Sequence, residues 1–266
     1  MKKIIQLITF LIIFPNILTS QNNNILFVMS AADTLALNDG EKLRQTGIFL
    51  NEFYLAYKSL SKAGYKIEFA TPNGDISSID NESLNDKYWK NQLNLKNEAI
   101  TFVKIDSLFN NPITLEKAIE NKDKYLGIVI PGGQGLMVDL AFNKNIPILL
   151  KYFAKEKKPT GLICHAPSLI LSIPKEENPY IGFKVNSVSP FEEFVIERFI
   201  MKGKPTNRKI AKQLKKLGLK YKHKFPKSDF AVKDRNLVTS QNPFSSQSFE
   251  NLFLEALSEY LNKNKE

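Results

Sequence analysis

Short, wholly apolar runs recur along this chain, each breaking off at a glycine, a proline or a chemically active residue. No other feature constrains the fold as strongly. "ILFVM" (Ile25–Met29), "YLGIVIPGG" (Tyr125–Gly133) and "PTGLICHAP" (Pro159–Pro167) are of this kind. A strand with one wet face alternates apolar and polar residues, whereas a continuous apolar run suits a parallel strand buried on both faces. The segments between the runs have helical spacing. Phe49, Phe53, Ala56 and Leu60 recur at three and four residues between Gly47 and Ala63, and Gly64 is placed to end the helix. "KIEFATPNG" reads as a second strand closing on a Pro-Asn-Gly turn. Residues 75–97, around the only tryptophan, Trp89, read as a polar excursion with short helices.

Asn145–Lys155 reads as a crossover helix. Pro205–Leu217 reads as a helix with Ile210, Leu214 and Leu217 on one side, stopped by Gly218. A strand in "NLVTS" and a helix over Ser246–Leu261 close the chain. This order predicts an α/β fold, a mostly parallel sheet covered by helices on both faces. With no internal repeat or long linker, residues 24–264 read as one domain.

The first residues read as a targeting segment. Lys2 and Lys3 precede the apolar run "IIQLITFLIIFPNIL", and Thr19, Ser20 and Gln21 follow. That is the layout of a secretory signal over residues 1–20, cleaved near Ser20, and the run is short and broken for a membrane span. The expectation is an exported protein, periplasmic or secreted, with no stable membrane insertion after processing. An uncleaved anchor is the alternative.

Composition narrows the chemistry. A hydrophobic content of 43% excludes a disordered chain. The formal charge of +10 is concentrated partly in residues 201–227, which hold eleven Lys/Arg and no Asp or Glu. These lysines flank an amphipathic helix without interleaved aromatics, so they read as a solvated face, and no nucleic-acid partner is expected. With one cysteine and two histidines, no internal disulfide can form and no soft-ligand metal site has its spacing. Neither a cofactor nor a metal is expected, although an Asp/Glu-rich metal site stays open.

Two strand ends carry chemistry. "PGGQG" (Pro131–Gly135) follows a strand directly, and its glycines allow backbone N–H groups to point outward as an oxyanion cradle requires; an ordinary turn is the plainer alternative. "GLICHAP" places the sole cysteine, Cys164, and one of the two histidines, His165, where a strand meets a helix-compatible run. This is the layout of a nucleophile elbow. A helix N-terminus there would lower the thiol pKa. Buried cysteines are common in cores, but the histidine, the glycine loop and the lack of a disulfide partner favour catalysis. Glu52 lies on the flank of the first helix's apolar stripe; it is either an ordinary helix glutamate or a buried neutral acid able to donate to a thiolate.

These residues resemble the PfpI/DJ-one superfamily. The matching pieces are "TGIFLNEFYLAYKSLSKAGYKIEFATPNG", "GIVIPGGQGLMVDL", "GLICHAP" and "NLVTSQNPFSS", and the nearest likeness is to its chaperone/glyoxalase III branch. The resemblance implies a flavodoxin-like three-layer sandwich of the class I glutamine amidotransferase type, and a homodimer. It also implies Cys164 as nucleophile, His165 as general base and Glu52 as the protonated acid beside the thiol. Gly133 and His165 N–H groups would form the oxyanion site, with Glu193, or in reserve Glu192, orienting His165. Gln134 stands where many relatives have histidine, and Ser240 where "TGQNP" is usual. "FVIERFIMKGKPTNRKIAKQLKKLGLKY" is unlike the branch. The implied activity is glutathione-independent conversion of a small 2-oxoaldehyde, such as methylglyoxal, to a 2-hydroxy acid. A cysteine hydrolase (deglycase or peptidase) and a holdase chaperone or redox sensor are the alternatives. A glutaminase would need a downstream histidine, and only His223 is available.

Overall fold

The computed structural model describes residues 23–264 apart from residue 91, so the expected signal over residues 1–20 lies outside the described residues. In chain order the elements begin with β1 (Asn24–Val28), the hairpin β2 (Thr34–Leu37) and β3 (Lys42–Gln45), α1 (Leu50–Lys62) and β4 (Lys66–Thr71). There follow α2 (Leu93–Ile105), β5 (Ile113–Thr114), α3 (Leu115–Glu120), β6 (Tyr125–Ile130), α4 (Asn145–Lys155) and β7 (Thr160–Ile163). The last part holds β8 (Lys184–Val185), α5 (Pro190–Val195), α6 (Ile210–Leu217), β9 (Lys220–Tyr221), β10 (Ala231–Asp234), β11 (Leu237–Ser240) and α7 (Ser246–Lys263).

Seven strands form one sheet in the order β10-β11-β7-β6-β1-β4-β5. Only β10 is antiparallel to its neighbour. The chain adds β4 on one side of β1 and then β6 on the other, so the strand order reverses between β1 and β6. This is the flavodoxin-like arrangement, in which ligands bind outside the carboxyl ends of the strands near the reversal. The all-apolar runs are buried as their composition requires: Ile25 to Met29 are each 0% exposed.

The helical layers follow from which residues face which side. Phe27 of β1 meets Phe53 of α1 edge to face at 6.0 Å, and Phe69 of β4 joins them. On the same side, α7 packs across β6 and β7 through Phe249 and Phe253, which stack at 5.6 Å. That approach requires Gly161, because a Cβ there would sit 2.7 Å from the Phe249 ring. Helices α3, α4 and α6 lie on the other side. On α6, Ile210, Ala211 and Leu214 are buried while Lys212, Lys215 and Lys216 are exposed, so this part of the basic tract is a solvated helix face.

Several boundaries move from those the sequence predicts. The first helix begins at Leu50, because Ile48 stays extended and exchanges backbone hydrogen bonds with Ser78 and Asp80. The helix expected from Pro205 begins at Ile210; Pro205 instead bridges to Leu37 and Lys209 takes a φ of 57°. The excursion is short turns up to Trp89, whose indole N–H donates to the Ser83 carbonyl at 2.9 Å, and then α2 begins at Leu93.

Candidate active site

Cys164 directly follows β7 in the left-handed region, at φ 59°. Such a conformation costs a non-glycine residue on the order of 1–3 kcal/mol and persists where the surroundings impose it. Here its N–H donates to the Ser240 carbonyl at the end of β11, and its carbonyl accepts from the Val188 N–H, each at 2.9 Å. Ser240 holds the elbow through its backbone carbonyl, while its own buried hydroxyl makes no hydrogen bond.

The elbow is followed by a 3-10 turn, Ala166–Ser172, rather than an α-helix. The expected lowering of the thiol pKa is therefore corrected. Burial, then the charge of Glu52, push Cys164 well above an ordinary thiol, and the His165 N–H facing the sulfur offsets little of this.

The site brings three of the predicted side chains together. Cys164 Sγ lies 3.2 Å from His165 Nδ1, and both residues are 4% exposed. Burial lowers the imidazole pKa to about 4, so His165 is neutral at pH 7. Glu52, in the first turn of α1 and 2% exposed, is raised to about 8 by burial, with the Cys164 thiol and the Gly132 N–H tempering the rise. Neither Glu52 oxygen reaches full hydrogen-bond geometry. A carboxyl so placed is neutral at pH 7 and can become a donor once charge develops on sulfur. The resting state is thus a thiol, an imidazole and a carboxylic acid, all uncharged.

The glycine loop closes over this group. A Cβ on Gly132 would lie 2.3 Å from Glu52 Oε2 and 2.7 Å from Cys164 Cβ, so the backbone approaches the sulfur as only glycine allows. Gly133, at φ 105°, lines the same cavity as Cys164 and His165.

Glu193 is not brought to His165, which corrects the expectation that it orients the imidazole. Ser189 caps α5 reciprocally with Glu192, and the next residue, Glu193, turns away, accepting from the Ile210 N–H at 3.4 Å. Glu192 does line the cavity, but it accepts from five donors: Ser189 N–H and Oγ, Gln241 Nε2, Asn242 Nδ2 and the Lys227 N–H. Among the described residues no carboxylate holds His165; its Nδ1 is held by the thiol itself. His223 is exposed and outside the cavity, so it offers no base for a glutaminase.

The cavity above Cys164 has a volume of about 590 Å³. Two of its residues, Arg44 and Asp80, carry no sign of that role in the sequence pattern. Arg44, on β3, is bidentate to Asp80 at 2.9 and 3.0 Å and also donates to Gln134 Oε1 at 3.3 Å. Gln134 thus serves as an acceptor for arginine where many relatives carry histidine. The signal for β2–β3 was present, since "TLALNDGEKLRQ" sets an Asn-Asp-Gly turn in an apolar alternation. Nothing local announces the Asp80 partner.

Comparisons with known proteins agree with this geometry. Residues 46–175 match the model of the DJ-1/PfpI family. The chain is similar to the protein/nucleic acid deglycase HchA of Escherichia coli, 26% identical over 233 residues, covering 85% of this chain and 78% of the relative. Glyoxalase III of Candida albicans superposes with a TM-score of 0.73 at 20% identity, over 88% of this chain and 97% of its own. The Rapid Encystment Protein of Francisella tularensis gives 0.70 at 23%, over 88% and 99%. With the elbow, the glycine loop and the strand order all in place, this chain belongs to the DJ-1/PfpI family.

Proposed function

We propose that the protein is a cofactor-independent enzyme acting on reactive carbonyls, converting methylglyoxal-type 2-oxoaldehydes to 2-hydroxy acids without glutathione. The observation that carries this reading is the Cys164–His165 contact of 3.2 Å beneath the cavity, with a neutral Glu52 beside the thiol. The name of the Candida structure supports it, and that of the Escherichia coli relative supports carbonyl chemistry more broadly.

The chemistry follows from the three uncharged groups. As Cys164 sulfur attacks the aldehyde carbon, its proton passes to His165 Nδ1, and the Gly133 and His165 N–H groups receive the developing alkoxide. His165 gives that proton to the alkoxide oxygen, which yields the hemithioacetal and frees the imidazole again. His165 then removes the proton on the former aldehyde carbon and, through an enediol, a proton is delivered to the neighbouring carbonyl carbon. The first carbon is oxidised to a thioester while the second is reduced to an alcohol, so no external redox partner is needed. Water cleaves the thioester, giving lactate from methylglyoxal and restoring the thiol.

Purified protein should form lactate from methylglyoxal without glutathione, and Cys164→Ala should reduce this by at least about a thousandfold, as loss of a nucleophile does. Turnover that survives Cys164→Ala overturns the proposal. Hydrolysis of glycated adducts is the second reading, favoured by the deglycase relative, because an acyl-enzyme would use the same atoms. Kinetics with a preformed adduct separate them: release no faster than spontaneous loss of methylglyoxal supports the glyoxalase reading, and faster release supports the deglycase.

A further inference from the structure

We infer that the carbonyl substrate of this site carries a bulky uncharged apolar substituent, aliphatic or aromatic; this rests on the reading of Cys164 as the nucleophile. Size is the first argument. At about 590 Å³ the cavity is in the range that encloses drug-sized ligands, and a three-carbon aldehyde on Cys164 would leave most of it to water.

The walls give the second argument. On one side Phe49, Tyr88 and Phe244 form an aromatic run, Phe49 edge-on to Tyr88 at 4.9 Å and Tyr88 tilted on Phe244 at 5.8 Å. On the other, Val195, Ile196, Phe199 and Ile200 face the same space. The backbone from Ile196 to Met201 is a π-turn, a rare conformation that concentrates at functional sites. It lets Phe199 and Ile200 line the cavity while Met201 packs with Leu35 and Leu37 of the hairpin. This is part of the stretch that departs from the family pattern. Phe199 is 63% exposed, a large ring kept in water at the cavity wall with room to close on a ligand.

The charges give the third. Each ionic group deep in the lining is already engaged within the protein. Arg44 is bidentate to Asp80, Glu82 pairs with Lys87 and accepts from the Tyr88 hydroxyl, and Glu192 holds its five donors. Lys227 lies exposed at the rim. Below that rim an ionic substituent would lose its hydration without meeting an unengaged partner, a cost that an apolar group avoids.

The test compares Cys164-dependent kcat/KM for methylglyoxal, phenylglyoxal and para-carboxyphenylglyoxal, the last matching the second in ring size but charged. Phenylglyoxal should exceed its carboxylated counterpart by at least about tenfold, and also exceed methylglyoxal, in line with what pocket contacts contribute to selectivity. Phe199→Ser and Ile200→Ser should each shrink the ratio between the two aryl substrates. Equal kcat/KM for the aryl pair, or a ratio unmoved by both substitutions, overturns the inference and leaves the nucleophile standing. Absence of Cys164-dependent turnover with all three overturns the enzymatic reading instead. The inference is then decided by alkylation of Cys164 with N-benzylmaleimide and its para-carboxy analogue, each rate divided by that with glutathione. A preference of at least about tenfold for the uncharged reagent supports it, whereas equal normalised rates, or no alkylation by either, overturn it.

Discussion

Glu52→Gln should remove a large, pH-dependent penalty from the stability of this protein. The carboxyl is raised from an ordinary 4.5 to about 8 because burial excludes the water that would stabilise its charge. The folded protein therefore binds this proton more tightly than the unfolded chain does. The associated stability is fully present below pH 4.5 and is lost as pH rises towards 8. At about 1.4 kcal/mol per pH unit, the whole window corresponds to roughly 5 kcal/mol, of which roughly 3 kcal/mol falls between pH 5 and 7. Glutamine keeps the shape and cannot ionise, so the variant should lack this slope.

The assay is urea denaturation of both proteins at half-unit steps from pH 5 to 8, reading the difference between them. Other buried groups, such as Glu250 (raised to about 7 by burial) and His165 (lowered to about 4), contribute to both proteins and cancel in that difference. Relative to wild type, the variant should gain stability steadily with pH. A difference that changes by less than about 0.5 kcal/mol over the range, no more than an inconsequential surface substitution gives, would refute the assignment of Glu52 as a neutral buried acid.

Three further outcomes are expected. Cys164 alkylation should keep accelerating above pH 9, since burial raises the thiol, and Glu52→Gln should shift the profile to lower pH by removing a nearby negative charge; stopped-flow alkylation checks both. Glu193→Gln should leave that profile unchanged, whereas Glu192→Ala should cost at least about 2 kcal/mol in urea denaturation because it strands several donors at once. Gly161→Ala should cost about 1–3 kcal/mol by forcing a methyl group against Phe249, measurable as a lowered urea midpoint.

We also propose that the chain is exported. Intact mass of the protein from a secreting host should show cleavage near Ser20, and a full-length mass in the membrane fraction would favour the anchor instead.

Much of the scaffold was legible because its cause is local. The apolar runs at Ile25–Met29 and Tyr125–Ile130 are strands buried on both faces, and burial on both faces leaves no alternation to write. Gly218 ends α6 at φ 109°, as its position after the last apolar residue suggested. Pro205 was misleading: its position after Gly203-Lys204 suits a helix start, but a bridge to Leu37, far away in sequence, takes precedence. The hairpin β2–β3 is local too, an Asn-Asp-Gly turn within an apolar alternation, but the place of Arg44 in the cavity rests on Asp80, far along the chain.

What the sequence determined by itself was the set of reactive groups, since one cysteine, its adjacent histidine and a glycine loop at strand ends leave few arrangements. What only the tertiary structure decided was their protonation and their neighbours. Whether Glu52 is charged depends on the water removed by packing the start of α1 against Cys164 and the Gly132 loop. Whether Glu192 or Glu193 faces the cavity depends on a single helical residue step, fixed by where Ser189 caps α5. Spacing along a chain conveys which groups can meet, but desolvation and register arise from contacts between distant segments, and those exist only once the chain has folded.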